Sequence, residues 1–165
     1  MREPDLITRI ANSFGSQCLV ISIDSRPNPK KASGYEVMID RGITPAGLDT
    51  LEWAKQAQER GAGEIMINSV DHDGDKRGYD LELIGIAAGG VSIPVIAMGG
   101  VREWPDLVSG IVDGRADAVA AGNVFHYTEH STKKAKEHMF ETGLNVRPPT
   151  FYKVDMPRRP KYKPF

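Results

Sequence analysis

Cys18 is the only cysteine in 165 residues, which leaves nothing for an intrachain disulfide framework and nothing for a thiolate metal cluster. Its setting between Gln17 and Leu19 predicts a buried strand residue, and so little cysteine suits a reducing cytoplasm. Long apolar runs are lacking too. No window approaches the roughly 20 apolar residues of a membrane span, and the opening MREPDLITRI has no apolar stretch of signal-peptide kind. A soluble, cytoplasmic protein is expected. The chain also lacks an excess of either charge: 21 Lys and Arg stand against 22 Asp and Glu, for a formal net charge of −1. Neither nucleic acid nor an anionic membrane is favoured as a partner, which leaves small molecules and proteins. With 40% hydrophobic and 26% charged residues, the chain is long enough for one compact domain and too short for two.

The apolar pattern orders the elements. Leu6, Ile7, Ile10, Ala11 and Phe14 follow Pro4 at helical spacing, and Gly15 closes that segment, so the chain opens with a helix over 4–14. CLVISID, 18–24, is a short apolar run ending in a carboxylate, the pattern of a parallel strand buried on both faces. A Pro-, Lys- and Ser-rich loop over 25–34 leads into YEVMID and DRGITPAG, an excursion of extended chain and turns. Then the alternation becomes regular: helix 50–60, strand 64–68, helix 79–88, strand 93–97, helix 103–113, strand 117–121 and helix 131–142. Four strand-helix units specify an α/β protein with a parallel sheet. Beyond Asn145 the chain turns rich in proline and basic residues, too poor in aliphatic ones for a core of its own.

In such folds ligands sit at the carboxyl ends of the strands. Those ends are Asp24; Asn68 and Ser69 followed by VDHDGD; Met98, Gly99 and Gly100; and Gly122 and Asn123. The glycines would let backbone N–H groups approach an anion, as barrels do for phosphate after their last two strands; the alternative is that they only make tight turns. On the phosphate reading, a bulky residue at Gly100 weakens binding without unfolding the chain. Asp24, Asp71, Asp73 and Asp75 gather carboxylates near one mouth, where general acid/base work is open to them; capping or solvation is favoured for Asp75 and Asp80. A calcium loop over VDHDGD is disfavoured because no Glu stands at the twelfth position. His72 and His126 stand in no metal-ligand spacing and read as structural.

ISID, RGAGEIMINSVDHDGDKRGYDLELI, SIPVIAMGG, ADAVAAGNVFH and GLNVR, in this order, resemble the second half of the cyclase subunit of imidazole glycerol phosphate synthase, over residues 4–147. The resemblance implies half of a (βα)8 TIM-type barrel, residues 1–147, followed by a Pro- and base-rich tail, 148–165. It implies a lyase-type reaction of histidine biosynthesis. Ammonia from a glutaminase partner converts a bisphosphorylated ribulosyl imidazole carboxamide ribotide into imidazole glycerol phosphate and an aminoimidazole carboxamide ribotide, with no cofactor and no metal in this half. Asp24 matches the catalytic acid/base. Asn68 ends the sixth strand, and Asp71 and Asp73 match the loop lining the site. Gly74, Gly99, Gly100, Gly122 and Asn123 fall at one phosphate site, and Glu64 falls where ammonia enters. Met98 and Asn123 stand where the family commonly has Ser. Asp75 stands where many members have a hydroxyl, and VREW replaces a small pair after the glycines. A branch of the family beside surface-polysaccharide amidotransferases is also similar, through GYEVMIDRG, TPAGLD and INSVD.

The resemblance begins at the helix before the fifth strand, so the first-strand aspartate and the second phosphate site have no counterpart here. A half barrel leaves strand edges unpaired. Self-association, which would close eight strands from two copies and present Asp24 twice, is expected. The alternatives are a complementing N-terminal half barrel on another chain, or a non-catalytic phosphate-binding half-barrel module.

Overall fold

The structure, a computed structural model, describes residues 3–126 and 131–148. Its helices are α1 (Asp5–Phe14), α2 (Thr50–Glu59), α3 (Leu81–Gly90), α4 (Trp104–Val112) and α5 (Ser131–Glu141). Its strands are β1 (Val20–Pro27), β2 (Tyr35–Ile39), β3 (Thr44–Asp49), β4 (Glu64–Ser69), β5 (Val95–Met98) and β6 (Ala118–Val119). They form one mixed sheet in the order β3-β2-β1-β4-β5-β6, in which β1, β4, β5 and β6 are parallel and β2 and β3 add an antiparallel hairpin.

The order of the parallel strands decides the architecture. Each lies beside the next in sequence, with no reversal. Because crossovers between parallel strands are right-handed, an unreversed order puts every crossover helix on the same face, whereas a doubly wound sheet reverses at a switch point. The sheet is therefore a segment of a barrel wall. Burial alternates accordingly. Ile65, Ile67 and Ser69 point at the helices and are buried, while Glu64, Met66 and Asn68 on the opposite, concave face are half-buried. The core lies between sheet and helices, with Ile23, Ile65, Ile67 and Val95 against Trp53, Ala54, Ala57, Leu83 and Ala87. A smaller cluster joins Ala97 to Ile84, Leu107 and Ala135.

Local chemistry sets the helix starts. Asp49 accepts from Leu51 N and Glu52 N at 2.9 and 3.1 Å and so caps α2, whose buried residues Thr50, Trp53, Ala54 and Ala57 recur at helical spacing. Asp106 accepts from the backbone of Arg102 and Glu103 at 2.8 and 3.0 Å, which fixes the start of α4.

Two expectations fail. Cys18 is exposed in a 3-10 turn, Ser16–Cys18, because the strand begins only at Val20 and continues to Pro27. The strand is longer at its end because Asp24–Pro27 pair with Met38–Tyr35 and keep the chain extended. Nor is β1 buried on both faces: Val20 is 46% exposed, since the concave face has no opposing layer among the described residues.

Both margins of the parallel sheet are open among the described residues. Val20–Ile23 have β4 on one side only, and a groove of about 390 Å³ lies there, lined by Leu6, Ile7, Ile21 and Trp53. Beside β6 a second groove, of about 680 Å³, is lined by Ile111, Val119, Met139 and Leu144. No helix among the described residues is long and apolar enough to cross a membrane. The expected tail over 148–165 lies, apart from Pro148, outside the described residues.

Candidate functional site

Parallel register places Asp24, Asn68 and Met98 in one row across the mouth of the sheet. Asn68 Nδ2 donates to Asp24 Oδ1 at 3.0 Å, so the carboxylate at the end of β1 is held by the residue at the end of β4. Asn68 Oδ1 is buried without a hydrogen-bond partner and lies against Gly99. One row below on the concave face stand Ser22, Met66 and Ile96. Glu64 lies at the opposite pole, at the start of β4 and level with Val20.

The segment between β4 and α3 is folded over this mouth and tied at several points. His72 N and Asp73 N donate to Ser69 O at 3.2 and 2.9 Å. Arg26 Nε reaches from β1 to Asp71 Oδ1 at 2.8 Å, and Arg77 Nη2 donates to Asp71 O at 2.6 Å. His72 Nδ1 donates to Gly78 O at 2.9 Å, which makes this histidine a brace of its own loop, as the sequence suggested. Asp75 pairs with Arg77 and does not line the adjacent cavity. The segment ends at Asp80, which caps α3 through Leu83 N at 3.1 Å and also takes Tyr35 OH at 3.0 Å and Ser69 Oγ at 3.3 Å. Burial first, then the bond to Asp80, pushes the Tyr35 phenol well above its ordinary range, so it stays a neutral donor. The Tyr79 phenol is likewise raised, by burial and then by the Asp106 charge, and donates to Ala120 O at 2.8 Å.

A cavity of about 60 Å³ joins three of these strand ends, lined by Asp73, Gly74, Lys76, Met98, Gly99, Gly100, Val101, Ala121, Gly122 and Asn123. It brings together seven residues singled out from the sequence. Asn68 stands beside it through Gly99, Asp24 beside Asn68, and Asp71 in the overlying loop. Glu64 is remote from it, and His126 is exposed at the end of the 3-10 turn Asn123–His126. Sequence reasoning missed Lys76, Val101 and Ala121. Lys76 immediately follows Asp75, and its position between Gly74 and Gly78 is the signal that could have found it.

The glycines are not equivalent. At Gly100, φ is 100° and an added Cβ would lie 2.9 Å from His72 Cβ and in collision with Gly78 O, whose residue donates its N–H to Gly100 O at 2.8 Å. Crowding therefore requires glycine at Gly100, and a bulky replacement cannot leave the fold intact as the sequence suggested. A Cβ at Gly122 would meet nothing within 4 Å, and Gly122 has no positive φ. Packing does not explain that glycine, which lines the cavity.

Among the described residues no three His, Cys, Asp or Glu side chains converge as metal ligands. A family model described as a histidine biosynthesis protein matches residues 1–131, from α1 through all four parallel strands and the whole cavity lining.

Proposed function

The chain belongs to the histidine biosynthesis protein family, and from that membership we propose a cyclase of the imidazole glycerol phosphate synthase kind. One observation carries the reading. The Asp24–Asn68 pair stands next to a small glycine-walled cavity at the carboxyl ends of parallel strands, so a titratable group and an anion cradle share one mouth. In this reading a phosphate of the ribotide sits on the backbone around Gly74, Gly99, Gly100, Gly122 and Asn123. Asp24 moves the proton as ammonia adds and the imidazole ring closes, and Asn68 keeps its carboxylate aimed at the reacting atoms.

Two features support the partners. Phe14, Val112 and Phe140, at the C-terminal ends of α1, α4 and α5, are 68%, 59% and 47% exposed on the pole where the strands start, the pole that also carries Glu64. Exposed apolar side chains on that pole suit the docking of a glutaminase that delivers ammonia past Glu64. The open β1 and β6 margins suit completion of the wall by a second copy or by a complementing half barrel. Met98 favours a second reading, a member of the surface-polysaccharide branch with a different substrate, because its thioether offers the cavity no hydrogen-bond donor where the family commonly has Ser.

Ammonia-dependent turnover of the bisphosphorylated ribotide separates these readings. It is measured with the chain alone and with a separately expressed N-terminal half barrel. The cyclase reading expects turnover that falls about 100-fold to 10,000-fold in Asp24→Asn, the usual contribution of a positioned acid or base. Equal rates in Asp24→Asn and the parent would remove Asp24 from the chemistry. Phosphate binding without turnover in either mixture would leave the module.

A further inference from the structure

We propose that Arg26 is a second anion contact of this mouth, on the opposite side from the glycine-walled cavity, so that a ligand with a phosphate at each end is held across Asp24. The inference rests on the cradle reading above and adds the residue that meets the far phosphate. Arg26 follows Asp24 by two residues on β1, and alternation puts both on the concave face with Ser22. Its Nε donates to Asp71 Oδ1 at 2.8 Å, which fixes the guanidinium at the rim, where the segment after β4 folds over the mouth. Asp71 engages that one nitrogen. Neither Nη group of Arg26 is bonded to another of the described residues, and the side chain is 44% exposed.

That leaves Arg26 the two Nη groups as a fork, the arrangement that meets a phosphate or carboxylate through two parallel hydrogen bonds. Arg77, the other arginine at this loop, uses Nε on Asp75 and Nη2 on Asp71 O at 2.6 Å, so its fork is already divided. The sheet sets the spacing of the two anion contacts. The glycine cavity lies beyond the ends of β5 and β6, and the order β1-β4-β5-β6 puts β1 two strands away from β5. At about 4.8 Å per strand the contacts stand roughly 10–12 Å apart. Asn68 lies on the intervening strand, and Asp24 lies one step below Arg26. A ligand with one phosphate reaches either contact alone. One with two phosphates at that separation is pinned at both ends, with its middle over the Asp24–Asn68 pair.

The test compares a ligand with one phosphate and a ligand with two. The full chain, labelled with nitrogen-15, is titrated with hexyl phosphate and with hexanediol bisphosphate, whose chain suits this spacing. The Gly99, Gly100 and Gly122 amides and the Arg26 Nε signal are followed. Wild type should bind the bisphosphate about tenfold to hundredfold more tightly than the monophosphate, the gain expected of one charge-assisted contact, and the bisphosphate should shift Arg26 Nε together with the glycines. Arg26→Gln, which removes the charge and the fork, should bind the two ligands alike, and Arg26→Lys, which keeps the charge alone, should fall between. Thermal unfolding run alongside should find both variants folded, since the pair with Asp71 is half-exposed. If Arg26→Gln prefers the bisphosphate as strongly as wild type does, Arg26 is not the second contact, and the cradle reading stands without it. A wild type whose glycine amides respond to both ligands with equal affinity overturns the second contact in the same way. If neither ligand moves those amides, the cradle fails and the role of Arg26 fails with it.

Discussion

Gly100→Ala is the sharpest perturbation of the strand-end architecture, because its cost follows from geometry. The added methyl would meet Gly78 O and lie 2.9 Å from His72 Cβ, on a backbone whose φ is 100°. An L-residue forced into left-handed backbone loses roughly 1–2 kcal/mol. Moving Gly78 aside breaks its 2.8 Å bond to Gly100 O and the 2.9 Å bond from His72, at about 1 kcal/mol each and more where a buried group is left unpaired. The total is about 2–5 kcal/mol. Gly122→Ala meets no atom within 4 Å and should stay within about 0.5 kcal/mol of the parent. Urea unfolding reads both. At an m-value of about 2 kcal/mol/M, Gly100→Ala lowers the midpoint by about 1–2.5 M while Gly122→Ala leaves it nearly unmoved. A Gly100→Ala midpoint equal to wild type would refute the locking of the two loops through Gly78. Equal losses at both positions would refute the distinction between a glycine required by packing and one facing open space.

Removing the buried Ile65 side chain with Ile65→Ala should cost about 2–5 kcal/mol in the same assay, since Ile65 is fully buried between the sheet and its helices. Arg26→Ala should change stability by less than about 1 kcal/mol, because the pair with Asp71 is 44% and 40% exposed, yet hydrogen exchange over 71–76 should quicken once the tie is cut. At Asp49 burial acts to raise the carboxyl, but the N–H groups of Ser33, Glu52 and Leu51 outweigh it and hold the pKa below its ordinary value. A lowered folded-state pKa lends stability that is complete above an unfolded value of about 3.9 and is lost as pH falls through the folded value. Asp49→Asn should therefore flatten the fall of melting temperature below about pH 4, and an unchanged acid limb would count against the assignment. Light scattering at micromolar concentration should give more than the mass of one chain; a stable, cooperatively folded monomer would show that the open margins need no cover.

The helices and their alternation with parallel strands were legible in the sequence because both depend on local periodicity, while the half-barrel arrangement of those strands was implied only by the resemblance. The apolar runs located the ends of β4 and β5 closely, but β1 continues past Asp24 to Pro27 and β6 stops at Val119. The β2–β3 hairpin was seen only as extended chain, because its pairing with Asp24–Pro27 is a non-local contact that periodicity does not encode. The exposure of Cys18 and the half-open face of β1 were read wrongly for a related reason. In CLVISID the side of Ile21 and Ile23 is apolar while the other side carries Ser22 and Asp24 beside Val20, and that side is open because no layer opposes it among the described residues. Gly99 and Gly122 look alike in the sequence, and what separates them is the positive φ of 91° at the first with Asn68 and the Ser69 backbone against it, and open space beside the second. Lys76 was hidden by its neighbours, since a lysine next to a DxDG run reads as solvated charge until the loop folds it onto the cavity.

Whether one mouth holds a phosphate and the acid/base together is read out by the product of the proposed reaction. Imidazole glycerol phosphate titrated into the nitrogen-15-labelled chain should shift the amides of Gly99, Gly100 and Gly122 together with the Asn68 side-chain amide that touches Asp24. Shifts confined to the groove beside β6, or no saturable shift at the glycines, would contradict it.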